Sequence, residues 1–157
     1  PGSPVSITSK ETGKRKVNIF QVGEIPQEYS LSTFHYEYFE VHLDPFKEQN
    51  PIESIKEVVD KHLNIPECRI ILKVSGFFNG AKYNVKEKDI EEYLIEIKNK
   101  HPELIGKTIN ECRDLRDIIN NNIFQDFLER LKKKGYDGDV QQKITEYVIK
   151  AMMGARI

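Results

Sequence analysis

The sequence predicts an α+β or α/β chain: a small mixed sheet with two helices, followed by an all-helical C-terminal tail. Three observations predict this class. Runs of β-branched and aromatic residues indicate strands in the first half, stretches with apolar residues at helical spacing alternate with them, and no strand candidate follows Gly106. The predicted strands cover residues 15–23, 34–43 and 69–75, and the two helices between and after them cover 51–63 and 85–100.

The strand predictions rest on local patterns. Glu11 to Lys14 reads as a hairpin turn leading into the strand at 15–23, and Pro26 to Ser32 reads as a connector. The aromatic run at 34–43 changes its apolar face near Tyr38 and Phe39, so either both of its faces are covered or a bulge shifts its register. The strand at 69–75 is apolar on both faces, which is typical of a position inside a sheet.

Capping residues predict where the two helices of the α/β part begin and end. Asn50 is suited to cap the first helix, which Asn64-Ile65-Pro66 would stop. Gly76 to Tyr83 is expected to be a loop. Asn84 with Glu87 three residues later favours the start of the second helix, and the segment from Pro102 to Gly106 is expected to be a linker.

The tail is predicted to be helical throughout. Thr108 and Glu111 have capping-box spacing, so a helix is expected over 108–119, and the asparagines at 120–122 interrupt it. Two further helices carry apolar stripes at 123–131 and 140–152. Such a pair does not bury both stripes in itself, so it is expected to dock on the α/β part, on residues 108–119 or on a partner chain.

Composition excludes several classes of protein. The 157 residues carry 24 basic and 25 acidic side chains, a net charge of −1, so the bulk positive charge of a protein that grips nucleic acid through phosphates is missing. No stretch has the length of a membrane span or the pattern of a signal peptide. Two cysteines make no disulfide framework, which favours the reducing cytoplasm.

No catalytic or metal-binding motif can be read in the chain. There is no HExxH, CxxC, P-loop or GxGxxG, and neither cysteine has a readable base partner. His35 and His42 are seven residues apart on one predicted strand, so they are expected on opposite faces and not in one metal site. The sequence therefore predicts a segment without an active site, with no catalytic and no metal-binding residue.

Two binding functions remain open at this point. Tyr36, Tyr38, Phe77 and Phe78 on neighbouring strands would suit a self-contained ferredoxin-like RNA-binding module, although core packing is the more ordinary use of such residues. A plain oligomerisation or scaffold domain is the other alternative. The basic triplet Lys14-Arg15-Lys16 is a candidate for DNA phosphates.

The opening residues Pro1-Gly2-Ser3-Pro4, followed by a short strand, Glu11, Gly13 and Arg15-Lys16-Val17, resemble the stretch after the last metal-binding motif of SbcD-type DNA-repair exonucleases. These enzymes belong to the calcineurin-like metallophosphoesterase superfamily. The strand ending Glu40-Val41-His42-Leu43-Asp44-Pro45-Phe46 is similar to the start of the capping domain in that family, which helps to position DNA ends.

The resemblance implies three regions: terminal strands of an upstream phosphoesterase domain (1–25), an α/β capping domain (30–101) and a helical partner-binding region (108–157). The Mn²⁺ pair and the Asp, His and Asn motifs that hold it would lie upstream, so no cofactor is expected in this segment.

The expected partners are an SbcC-like SMC-type ATPase, bound at its coiled-coil base, and DNA in the full complex, with no membrane; the resemblance also admits a homodimer of the parent. The expected docking residues are Phe124, Phe127, Leu128, Leu131, Val140, Ile144, Val148 and Met152.

Overall fold

The central part of the chain is a three-stranded parallel sheet covered by two helices. The structure is a computed structural model, and it describes residues 3–62, 65 and 67–154. The sheet has the order β3-β4-β5, with β3 at His35–Leu43, β4 at Cys68–Phe78 and β5 at Ile105–Asp114. The crossovers contain α1 (Pro51–His62) and α3 (Glu87–Lys100).

Both crossover helices pack on the same face of the sheet, as expected when two right-handed crossovers step in the same direction. Between helices and sheet lies a core of fully buried aliphatic side chains. Its most deeply buried members are Ile55 of α1, Leu72 and Val74 of β4, Ile90 of α3 and Ile105 of β5. The opposite face of the sheet carries no helix from these crossovers.

A separate antiparallel hairpin precedes this unit. β1 (Lys16–Ile19) pairs with β2 (Gln27–Ser30), and every residue of both strands is exposed. The strand expected over 15–23 is therefore shorter than predicted, and the connector expected over 26–32 is wrong because it contains β2. Polar Gln27 and Glu28 obscured this strand in the sequence. Thr12, placed in a predicted turn, instead forms a parallel bridge with Tyr36.

The tail contains α4 (Arg116–Ile119), α5 (Asn122–Lys133) and α6 (Gly138–Gly154). A second core cluster joins it to the sheet. Its buried members are Leu115, Ile118, Phe124 and Ile149, and Phe46 and Phe77 from the ends of β3 and β4 pack against them. The tail thus docks on the α/β unit and on the segment that follows β5.

The predicted fold class, an α/β part followed by a helical C-terminus, is confirmed. The strand His35–Leu43 pairs with β4 without a register shift, so the bulge considered near Tyr38 and Phe39 is absent from this pairing. Both helices of the α/β part are confirmed, with Asn50 capping α1 through its Oδ1, which accepts from the Ile52 N–H at 2.9 Å. α1 ends at His62, and the stop signal at Asn64 and Pro66 lies outside the described residues.

The helix predicted over 108–119 is wrong up to residue 114, because β5 occupies Ile105–Asp114, and only its end is helical, as α4 (Arg116–Ile119). The linker predicted at 102–106 is correspondingly shorter, since its last two residues belong to β5. The apolar residues Ile105, Ile109 and Cys112 of β5 are spaced by four and three, which mimics one face of a helix. Tertiary context decides against a helix. Without β5, β4 would be paired with β3 along one edge only, and pairing with β5 satisfies the backbone hydrogen bonds of its other edge. The sheet therefore extends beyond residue 101, where the predicted capping domain ends.

Two local predictions also need correction. The segment expected to be a loop at 76–83 contains the end of β4 and the short helix α2 (Gly80–Tyr83). Asn84 caps the end of α2 in a left-handed conformation and does not start α3. Lys86 is the residue at the start of α3, where its N–H donates to the Asp89 carboxylate at 2.7 Å. Asn and Asp can cap either the end of one helix or the start of the next, and the geometry of the turn between α2 and α3 decides which role Asn84 takes.

Candidate functional site

Six of the eight predicted docking residues are already packed inside the chain. α5 begins because the Asn121 side chain accepts from the Ile123 N–H at 2.9 Å, and this places Phe124 and Leu131 inward. Phe124 is 2% exposed and Leu131 is 7% exposed. Four more members are half-buried and pack against the same second cluster: Phe127, Leu128, Val148 and Met152.

The remaining two members, Val140 and Ile144, lie on a different part of α6. Val140 is 43% exposed and Ile144 is half-buried. Tyr147, seven residues after Val140 and 73% exposed, continues the same face. We call Val140, Ile144 and Tyr147 the α6 stripe. The i, i+4, i+7 spacing could have revealed Tyr147 from the sequence. Only the structure separates this stripe from the buried face of the α5–α6 helix pair.

Two of the three cations in the basic triplet are paired with carboxylates. The Arg15 guanidinium lies 2.5 Å from the Glu11 carboxylate, and Lys16 Nζ lies 2.6 Å from Glu28 on the facing strand. Hydrogen bonding from the Ile7 N–H, together with the Arg15 charge, lowers the pKa of Glu11. Lys14 has no carboxylate partner among the described residues. A DNA phosphate would therefore have to compete with two existing ion pairs.

The open face of the sheet carries one lysine that pairs with a carboxylate on each neighbouring strand. Lys73 on β4 lies 3.7 Å from Glu40 on β3 and 2.7 Å from Glu111 on β5. The hydrogen bond to Glu111 raises the pKa of Lys73, and the hydrogen bond from Ser75 is the largest cause that lowers the pKa of Glu40. The central cation of this face is therefore held by protein carboxylates on both sides.

The aromatic set of the RNA-binding alternative does not form one platform. Tyr38 is 45% exposed on the open face, whereas Phe78 is 2% exposed in the core. Phe77 packs into the second cluster, and Tyr36 lies against Gly106 and Arg69. In the described part of the chain, the sheet is also parallel and three-stranded, unlike the β-α-β-β-α-β order of ferredoxin-like modules.

A crevice of about 230 Å³ lies at the carboxyl end of β3, where open parallel sheets commonly bind ligands. Glu40, Asp44 and Glu57 contribute carboxylates to its lining, and Tyr83 contributes a buried hydroxyl that lacks a hydrogen-bond partner in the described structure. At the end of β5, the buried Asp114 side chain forms an ion pair with Arg116. Two of these carboxylates fix turns: Asp44 accepts from the Phe46 N–H and Asp114 accepts from the Arg116 N–H, each at 3.0 Å.

His35 and His42 lie on opposite faces of β3, as the spacing predicted. His35 is buried at 3% exposure, and His42 is exposed with its Nδ1 3.2 Å from the Ser75 hydroxyl. Both cysteines are free and buried. Burial raises the pKa of the Cys112 thiol to about 12, so this thiol stays protonated and is no nucleophile at neutral pH.

None of the helices in the described part of the chain is long and apolar enough to cross a lipid bilayer. Comparisons with family models, curated proteins and solved structures give no match for this chain.

Proposed function

We propose that this chain is the non-catalytic C-terminal region of an SbcD-type DNA-repair exonuclease. Its central α/β unit would act as the cap that positions DNA ends, and its tail would dock the nuclease on a cytoplasmic SMC-like ATPase. The metal pair and the phosphoesterase chemistry would belong to the upstream domain of the parent. The observation that carries the proposal is the distribution of exposed apolar side chains, which are concentrated in the β1–β2 hairpin and on the tail.

The β1–β2 hairpin exposes apolar side chains that a protein surface normally covers. Phe20 is 73% exposed, Val22 is 104% exposed and Ile25 is 86% exposed, and all three lie between or beside the two strands. An isolated two-stranded hairpin is marginally stable in water, and burying each such side chain would contribute about 1.5–3 kcal/mol. This supports the proposal that residues 1–25 complete the edge of a larger phosphoesterase domain.

The α6 stripe supports the second part of the proposal. It is apolar, it continues over two turns, and it lies beside α5, with which α6 is in contact. Helical partners recognise such faces through side chains at i, i+4 and i+7. The inward face of the α5–α6 helix pair is occupied by the second core cluster. A partner would therefore bind at the α6 stripe and leave Phe124 and Leu131 in place.

A positional role follows for the mechanism. The second cluster connects α5 and α6 to Phe46 and Phe77, at the carboxyl ends of β3 and β4. A movement of the partner that pulls on α6 would therefore be transmitted to the sheet of the cap through packed side chains. In this way ATP-driven movement of the partner would shift the cap over the DNA end without any residue of this chain taking part in chemistry.

The test is a binding measurement with the coiled-coil base of the partner ATPase. Val140→Asp and Ile144→Asp place a charge in the proposed contact and should weaken binding by about tenfold or more. Gln142→Asp adds the same charge at an exposed position between them and should leave the affinity within about twofold. Circular dichroism checks that each variant keeps its helices.

Equal affinity for all three variants and the unmodified chain would refute docking through the α6 stripe. If the chain instead bound single-stranded RNA in a salt-sensitive way that Tyr38→Ala abolished, the RNA-binding alternative would replace the proposal. A stable homo-oligomer in light scattering, without affinity for either, would favour the scaffold alternative.

A further inference from the structure

Three potential metal ligands meet at the amino end of the parallel sheet. His35 and Cys68 are direct register partners on β3 and β4, and Glu37 lies two residues further along β3 on the same face. One ligand atom from each residue lies within 4.8 Å of the other two. We call His35, Glu37 and Cys68 the His35 cluster. It is distinct from the α6 stripe and from the open face of the sheet.

The hydrogen bonds of the His35 ring indicate which of its two nitrogens is free to bind a cation. Nδ1 lies 2.9 Å from the Thr33 carbonyl oxygen, which only accepts, so Nδ1 must carry the proton. Nε2 lies 3.2 Å from Glu37 Oε1, in a ring that is 3% exposed. With the proton on Nδ1, the Nε2 lone pair points towards this oxygen, so both atoms could bind the same cation.

This arrangement is the one that metal-binding histidines use. A ligating imidazole usually donates its other N–H to a backbone carbonyl or carboxylate, which fixes the tautomer and aims the bare nitrogen at the metal. Thr33 is itself held, because its hydroxyl donates to the Pro4 carbonyl at 2.6 Å. The ring is therefore oriented before any ion arrives.

The cysteine completes the ligand set. Cys68 is buried at 6% exposure, and burial followed by the Glu37 charge raises the pKa of its thiol, while Lys14 lowers it to a smaller extent. A divalent cation would displace the thiol proton to solvent and bind the thiolate. Glu37, with 26% of its side chain exposed, leaves a path from solvent to the cluster.

We propose that His35 Nε2, the Glu37 carboxylate and Cys68 Sγ form a zinc site with one position open to water. A mixed thiolate, imidazole and carboxylate set suits Zn²⁺ better than Mg²⁺ or Ca²⁺, which prefer oxygen ligands. Tetrahedral zinc places its ligand atoms about 3.3–3.8 Å apart, so a pair of ligand atoms 4.8 Å apart would close by about 1.0–1.5 Å. The site ties β3 to β4 at the edge where the N-terminal segment joins the sheet.

The experiment titrates the purified chain with Co²⁺ as a spectroscopic substitute for zinc. One equivalent should produce the near-ultraviolet absorption of a thiolate–cobalt bond, and Zn²⁺ should remove it. Cys68→Ser should abolish the band, and Glu37→Gln should weaken Zn²⁺ binding by more than about tenfold, since even residues behind the ligands change affinity 10–100-fold. Cys112→Ser, the matched control, removes the other buried cysteine and should retain the band.

Thermal unfolding supplies a second measurement that does not depend on cobalt. Zn²⁺ should raise the Tm of the unmodified chain and of Cys112→Ser, but not that of Glu37→Gln at the same concentration. Glu37→Gln keeps the shape of a half-exposed side chain, so it remains informative if Cys68→Ser fails to fold. Absence of the cobalt band, or unchanged Zn²⁺ affinity in both variants, would overturn the site.

Discussion

The central α/β unit and the β1–β2 hairpin use the same apolar residue types with opposite outcomes. In β4 the side chains of Ile70, Leu72 and Val74 are at most 3% exposed, whereas in β1 Val17 and Ile19 are 39% and 56% exposed. Parallel strands require long crossover connections, and the helices in those connections cover the sheet. An antiparallel hairpin closes through a short turn and brings no cover of its own. Topology, more than hydrophobicity, thus determines which strands are buried here.

The largest effect is expected from truncating the core of the central unit. Ile90→Ala, at a fully buried position of α3, should lower the free energy of unfolding by about 2–5 kcal/mol, because it removes buried methyl groups and leaves a cavity. Ile95→Ala, on the same helix but 53% exposed, is the matched control and should cost less than about 0.5 kcal/mol. Urea unfolding followed by circular dichroism measures both, and equal costs would contradict the assigned core.

An effect of intermediate size on the free energy of unfolding is expected at alkaline pH, because the Cys112 thiol is buried. Burial raises the pKa of the Cys112 thiol to about 12 in the folded chain from its ordinary value of 9.0, so above pH 9 the unfolded chain loses this proton first. Stability should therefore fall by roughly 1 kcal/mol per pH unit between pH 9 and 12 from this group alone. Cys112→Ala removes the contribution, and the difference between the two pH profiles of urea unfolding isolates it. Parallel profiles would show that Cys112 is not buried as described.

The smallest effect on the free energy of unfolding is expected in the β1–β2 hairpin. Phe20→Ser replaces a side chain that is already 73% exposed, so the free energy of unfolding of the isolated chain should change by less than about 0.5 kcal/mol. Backbone amides of β1 and β2 should exchange with deuterium by local opening, much faster than those of β4. Hydrogen exchange read by mass spectrometry tests this, and protection of the hairpin equal to that of β4 would remove the contrast between the two regions.

Local patterns were sufficient where one signal dominated. The cap at Asn50, the strand at His35–Leu43, the asparagine break before α5 and the apolar stripes of α5 and α6 are all readable along the chain, because each depends on residues within one or two turns. β5 and the role of Asn84 could not be predicted in this way. Their residues are compatible with two local structures, and the choice depends on partners distant in sequence.

The candidate sites also differ in whether local sequence or distant partners determine them. The sequence predicts the apolar docking residues as a single group, whereas in the structure Phe124 of that group is buried and Val140 is exposed on the α6 stripe. The His35 cluster could not be found from spacing, because Cys68 is 33 residues beyond His35 and joins it only through the register of β3 and β4. A metal motif is readable in a sequence when its ligands share one local element, and here they do not.

The sequence by itself determined the element types of the α/β part and of the last two helices, and the lack of any readable catalytic motif. These follow from side-chain periodicity and capping, which act over a few residues. Tertiary structure alone decided that Ile105–Asp114 is a strand, that the β1–β2 hairpin remains exposed, and that His35, Glu37 and Cys68 meet. Each of these depends on which strand edges and faces are left for another part of the chain to cover, and no local pattern carries that information.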